Sequence, residues 1–294
     1  ERSSIRCAGN GGERLVLVKR IYTALVMMGI FLAAVTQLTP LAMSILVAVV
    51  FAAGAWEWAG LSGWDALWIR MIFSLVFVGL STGFILVYHP DLVESSAAIR
   101  PVLGVACFTW LANAFLVESY PKLSFLWRGR VTRSLIGLFV LGAGWLSLSY
   151  MVGLPHGWIL TTLFIVLVAA SDVGAYFVGS TLGRNPLAPD ISPKKTIEGF
   201  WGGLLVVLGL AAVVWWLLPS EYAHIHPVEI FLIGLFCCGA SVLGDLTISM
   251  FKRESGFKDS GTLLPGHGGL LDRLDSICGA APFFALSLIL VGYA

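Results

Sequence analysis

The sequence predicts an all-α polytopic membrane protein with about nine transmembrane helices, its N-terminus inside and its C-terminus outside. Three observations predict it. Only 12% of the 294 residues are charged and 58% are hydrophobic, whereas a soluble domain carries about 25% charge; the mean hydropathy is +0.89. Apolar windows near the ~20 residues that cross a bilayer fall at about 21–37, 40–61, 68–88, 101–117, 134–153, 157–180, 200–218, 229–250 and 277–293. Alternating these spans with the N-terminus inside places 17 of the 18 Lys and Arg residues on the cytoplasmic side and leaves only Arg100 outside. That is the asymmetry the positive-inside rule describes.

Residues 1–20 form a basic cytoplasmic lead. The span at 21–37 follows it without a small-residue cleavage site before polar sequence, so it reads as an anchor and not as a signal peptide. The spans from 21 to 153 are chemically quiet. Trp56, Trp58, Trp64 and Trp68 mark one interface as an aromatic belt would. Glu57, among them, reads as an interfacial carboxylate free to snorkel, and Glu118 is similarly bland. The five cysteines have no paired metal-ligand spacing and read as reduced, mostly buried thiols. A net charge of +1 gives no reason to expect a nucleic-acid partner, and the partner expected of such apolar spans is the lipid bilayer. Loops are too short for a separate soluble domain, and no internal repeat is evident.

The character changes over 154–294, where cytoplasmic loops at 181–199 and 251–276 mark a catalytic region. The sixth span carries Ser171-Asp172 well inside it, then Gly174 and Tyr176, and the eighth carries Asp245 near its end. A carboxylate at the centre of an exposed membrane helix costs on the order of 3 kcal/mol. Both aspartates are therefore expected to face the protein interior, a watery cavity or a cation. For Asp172, hydrogen bonding between packed helices is the competing structural role.

The segment from Asp245 to Asp275 concentrates the polar chemistry: four aspartates, four cations and one imidazole lie between two apolar stretches. On a continuing helix Asp245, Ser249 and Lys252 fall at i, i+4 and i+7, one face running from membrane depth to the rim. Mg²⁺ takes one or two carboxylates and completes its shell with phosphate oxygens and water, which this stripe permits. Lys252 and Arg253 can neutralise phosphate charge. The stretch Pro265-Gly266-His267-Gly268-Gly269 cannot be regular helix, and its glycines let backbone N–H groups approach an anion. Asp272 and Asp275, three apart at the start of the last span, share a face and can bring a second carboxylate to Asp245. The loop Ser192-Pro193-Lys194-Lys195-Thr196 precedes a helix start near Gly199 and suits phosphate. No Walker loop or dinucleotide fingerprint is present.

These residues closely resemble the phosphatidate cytidylyltransferase (CDP-diacylglycerol synthase) family. The family pattern reads here as Ser249, Lys252-Arg253, Lys258-Asp259, Gly261, Leu264-Pro265, His267-Gly268-Gly269 and Asp272-Arg273-Leu274-Asp275, without departure. The resemblance covers about 157–290 closely and the N-terminal spans more loosely. It implies the reaction of CTP with phosphatidic acid to give CDP-diacylglycerol and pyrophosphate, on the cytoplasmic face of a bacterial inner membrane. It also implies Mg²⁺ held by Asp245 and Asp272, room for a second cation such as K⁺, and a homodimer. Carried over, Lys252, Arg253, Lys258, Asp259, His267, Arg273 and Asp275 are the catalytic candidates. Ser171, Asp172, Tyr176, Lys194, Lys195, Thr196, Ser249, Gly268 and Gly269 are the substrate contacts. The rival readings are a CTP-dependent lipid kinase or another lipid cytidylyltransferase on the same scaffold. A cation-coupled transporter fits poorly, because its ionisable groups would lie near the midplane and here they gather at one face.

Overall fold

The computed structural model describes residues 28–88, 96–261, 263 and 268–293. The basic lead, the first part of the 21–37 span and the Pro265–His267 portion of the glycine-rich loop lie outside the described residues. Two compact units are distinguished, Glu1–Thr39 and Pro40–Ala294. In the first, Met28–Gln37 is a short apolar helix, α1.

Among the described residues, the second unit holds eight helices long and apolar enough to cross a membrane. They are α2 (Pro40–Leu61), α3 (Leu67–Tyr88), α4 (Ser96–Glu118), α5 (Arg130–Gly153), α6 (Gly157–Leu182), α7 (Ile197–Trp216), α8 (Pro227–Glu254) and α9 (Leu271–Leu290). The all-α membrane class is as the sequence predicts. Large apolar side chains such as Phe108 and Leu205 stand about seven-tenths exposed, the outward-facing surface a lipid solvent favours.

Several helices begin or end away from the apolar windows, for local reasons. Thr196 starts α7 by accepting a hydrogen bond from Gly199 N on its hydroxyl (3.1 Å). His226 and Glu229 form a reciprocal capping box at the start of α8. α8 then continues to Glu254 and α9 begins at Leu271, so the polar loop shrinks to 255–270. The loop expected at 181–199 is not structureless: β1 (Pro186–Ala188) and β2 (Ser192–Thr196) pair antiparallel. Glu198 closes that hairpin, accepting from Arg184 N, Asn185 N and Asn185 Nδ2 at 2.7–3.2 Å.

Small residues let two helix pairs touch backbone to backbone, the packing mode membranes favour. In α6 against α7, a Cβ at Gly203 would lie 2.6 Å from the carbonyl oxygen of Ser171. In α8 against α9, a Cβ at Gly279 would lie 2.9 Å from the Cα of Gly244. The second contact brings Asp245 alongside the first turns of α9.

The helix ends that carry charge are tied together. Ser255, just past α8, donates its hydroxyl to the Leu61 carbonyl at the end of α2 (2.6 Å). Buried Arg133, in the first turn of α5, donates to Leu61 O (3.0 Å) and Ser255 Oγ (2.8 Å). Trp58, Phe251 and Trp127 pack behind them with tilted rings, centroids 5.1 and 4.6 Å apart.

Candidate functional site

Four elements contribute to the polar cluster at this end of the bundle. From β2, Lys195 Nζ meets Asp245 Oδ2 of α8 at 2.6 Å. One turn along α8, Ser249 donates its hydroxyl to Asp245 Oδ1 (3.1 Å), so the stripe read from the sequence is real at its first step. Lys252 Nζ, a turn further, meets Asp272 Oδ1 of α9 at 2.6 Å. The other oxygen of Asp272 accepts from Ser260 N (3.0 Å) and Gly269 N (3.1 Å). Asp275, buried at 8% exposure, lies in electrostatic range of Asp245, Lys252 and Lys195. Asp172 of α6 is in range of Asp245 and Lys195.

Other expected contacts fall elsewhere. Ser171 is buried and faces Cys238 of α8 with 3.2 Å between hydroxyl and thiol, an interhelical contact. Tyr176 is 70% exposed and its ring meets Phe177 edge-on. Thr196 is occupied as the α7 cap. Arg253 Nε donates to the Ile191 carbonyl (3.0 Å), anchoring the hairpin turn to α8. Lys194, Lys258, Asp259 and Arg273 are exposed at the same end. His267 lies outside the described residues.

Gly268 and Gly269 serve the loop's own geometry. Gly268 has φ +84°, a region that L side chains rarely adopt, and a Cβ there would crowd Asp272 Oδ2 at 3.2 Å. At Gly269 a Cβ would collide with Ser260 Oγ and the Glu57 carboxylate.

Glu57 is the residue that the reading as a free interfacial carboxylate placed wrongly. It is 3% exposed. Its Oε2 accepts from Ser260 Oγ (2.9 Å) and from Leu271 N (2.8 Å). Snorkelling is replaced by capping: the first-turn N–H of α9 needs an acceptor, and α2 supplies it. The available signal was the cost of a carboxylate within an apolar span.

Among the described residues, no three Asp, Glu, His or Cys side chains converge closely enough to hold a metal by themselves. The arrangement still suits a hard divalent cation. Asp245 is partly open, at 28% side-chain exposure, and has two further carboxylates in electrostatic range. An all-oxygen, incomplete shell is what Mg²⁺ uses when substrate phosphates supply the rest. Asp272, like Asp245, has both oxygens already engaged by protein donors, so each could bind a cation only if its lysine let go.

The fold and site define an integral membrane protein with a lysine- and aspartate-rich site where its helices end. The chain belongs to the cytidylyltransferase family, whose model matches residues 18–291. It is 36% identical over 280 residues to a phosphatidate cytidylyltransferase of Pseudomonas aeruginosa, covering 95% of this chain and 99% of the relative. A phosphatidate cytidylyltransferase of Haemophilus influenzae is 35% identical over 282 residues, 92% of this chain and 98% of the relative. One from Bacillus subtilis is 46% identical over 127 residues, 42% of this chain and 45% of the relative.

Proposed function

We propose that the chain is a phosphatidate cytidylyltransferase: the phosphate of phosphatidic acid attacks the α-phosphorus of CTP, giving CDP-diacylglycerol and releasing pyrophosphate. The observation that carries this reading is the side-by-side pairing of Lys195 with Asp245 and Lys252 with Asp272, both at 2.6 Å, in a chain similar to such enzymes almost end to end. Two anionic substrates repel each other, so a site that joins them must place cations where their phosphates meet. Lys195 and Lys252 are held there by carboxylates that can exchange them to incoming phosphate oxygens. Exposed Lys194, Lys258 and Arg273 add positive charge at the rim and draw CTP in from solution. No protein nucleophile is required, because positioning and electrostatics carry most phosphoryl-type transfers.

Asp245, joined by Asp272 when Lys252 turns to substrate, would hold Mg²⁺. A divalent ion held there would supply Lewis-acid stabilisation of the charge that accumulates on pyrophosphate. Asp275 and Asp172 lie within electrostatic range of that position. A K⁺ ion and a homodimer belong to the proposal on the family resemblance alone.

The proposal places the site on the cytoplasmic face of a bacterial inner membrane, supported by the 17-to-1 division of cations. Single cysteines at the exposed positions Asp190 and Phe257, in a chain lacking Cys7, report on this, since the four other cysteines are buried. An impermeant thiol reagent added outside intact cells is expected to leave both unlabelled. Labelling of both without permeabilisation reverses the orientation.

The reaction itself is tested by supplying purified enzyme and phosphatidic acid with CTP labelled at either the α- or the γ-phosphorus. Cytidylyl transfer puts only the α-label into chloroform-soluble lipid. With diacylglycerol supplied as an alcohol acceptor in a parallel arm, a γ-label in lipid would instead make the chain a CTP-dependent lipid kinase, and no labelled lipid with either acceptor would overturn both.

A further inference from the structure

We infer that Glu57, in the chemically quiet N-terminal half, is a positioning residue for the transfer reaction. It works by latching Ser260 and Gly269 onto the first turn of α9. The inference rests on the reading of Asp245–Asp275 as the catalytic site.

The latch has three parts. First, one carboxylate oxygen of Glu57 accepts from both the Ser260 hydroxyl and the Leu271 amide, so these two residues are fixed to one atom of α2. Second, the loop is shaped around that carboxylate: Cβ atoms added at Gly261 or Gly269 would collide with it. Third, the Ser260 and Gly269 amides, set by this contact, both donate to Asp272 Oδ2. Asp272 Oδ1 is thereby turned to Lys252 at 2.6 Å. Moving Glu57 therefore moves Asp272, and with it the ammonium group that the reaction uses.

A purely stabilising role explains this arrangement poorly. The other oxygen of Glu57 is buried with no hydrogen-bond partner among the described residues, and no cation is paired with the carboxylate there. A buried, half-satisfied carboxylate is a cost that an apolar residue of similar size would avoid. What an apolar residue could not do is accept from Ser260 and Leu271 together.

The test uses the full chain in detergent or proteoliposomes, with Glu57→Ala, Glu57→Gln, Ser260→Ala and the Glu57→Ala/Ser260→Ala double variant. CTP-dependent kcat and KM are measured per mole of monodisperse protein, with thermal unfolding in parallel. Glu57→Ala is expected to lower kcat roughly tenfold or more, as small displacements of catalytic groups do, with KM for CTP changed less than about threefold. Glu57→Gln, whose amide oxygen still accepts, is expected to recover most of that loss. Ser260→Ala should lower kcat several-fold, and the double variant should be no worse than Glu57→Ala, since both substitutions open one latch. Ser260→Ala at wild-type kcat, Glu57→Gln no better than Glu57→Ala, or multiplicative losses in the double variant would each overturn the inference. So would an activity loss that follows only the amount of folded protein. Should Glu57→Ala fail to fold, Ser260→Ala and Glu57→Gln decide the matter. Asp245→Asn, assayed alongside, separates the two levels: if it retains activity the site assignment fails, whereas its inactivity beside a fully active Glu57→Ala sinks only the latch.

Discussion

The two lysine–aspartate pairs have the same length and very different surroundings. Lys252 and Asp272 are 10% and 13% exposed, and Asp272 is further held by two backbone amides. Lys195 and Asp245 are 26% and 28% exposed, with a single hydroxyl, Ser249, as additional partner. A desolvated pair surrounded by donors is hard to exchange, and leaving one partner alone costs on the order of 3 kcal/mol. A pair about a quarter exposed and with fewer donors around it is more screened and opens more easily. The first is therefore the wall of the site, giving way only when substrate phosphate takes up Lys252, and the second is its readily replaced part, the position where on our proposal phosphate or a cation would enter first.

The sharpest way to break this comparison is to neutralise each aspartate. Asp245→Asn and Asp272→Asn are both expected to remove at least about nine-tenths of turnover, since metal or phosphate organisation supplies several kcal/mol. They should differ in stability: Asp272→Asn lowers the unfolding midpoint clearly and Asp245→Asn barely moves it. Equal destabilisation in thermal scans would erase the distinction between wall and replaceable part. More than about a tenth of wild-type activity in either variant would remove that residue from the proposed cation site.

A smaller effect separates the basic groups. Lys195→Ala is expected to raise KM for CTP or for lipid while kcat changes less, because Lys195 reaches substrate from strand β2 and not from the helix pair. Arg273→Ala, on the first turn of α9, should mainly lower kcat, as a cation that offsets charge on the departing pyrophosphate does. Steady-state kinetics with each substrate varied check this, and the reverse pattern would exchange the two roles.

Much of this architecture was legible in the sequence, for reasons that are local. Apolar length predicts α2 through α9, and helical spacing alone puts Ser249 next to Asp245, as the 3.1 Å hydrogen bond records. Residues whose role depends on distant partners were not legible. Glu57 and Ser260 are 203 positions apart, and nothing periodic links them. Ser171 shares its motif with Asp172 yet turns to Cys238, because neighbouring positions on a helix face different directions. Gly268 and Gly269 do permit a close approach, but what approaches most closely is the protein's own Glu57, Ser260 and Asp272. The hairpin at 186–196 was hidden because its strands are only three and five residues long.

The length of α8 has a consequence for where in the membrane chemistry can happen. From Pro227 to Asp245 an upright helix rises ~27 Å at 1.5 Å per residue, close to the ~30 Å hydrocarbon thickness of a bilayer. α8 is thus a ruler: if its capped start sits at one hydrocarbon edge, Asp245 comes to the opposite edge, just beneath the lipid phosphates of that leaflet. The glycine contact with α9 keeps that ruler from sliding. A lipid substrate would then have no need to leave its leaflet, and bilayer thickness would set how well its headgroup and the Asp245 carboxylate come level.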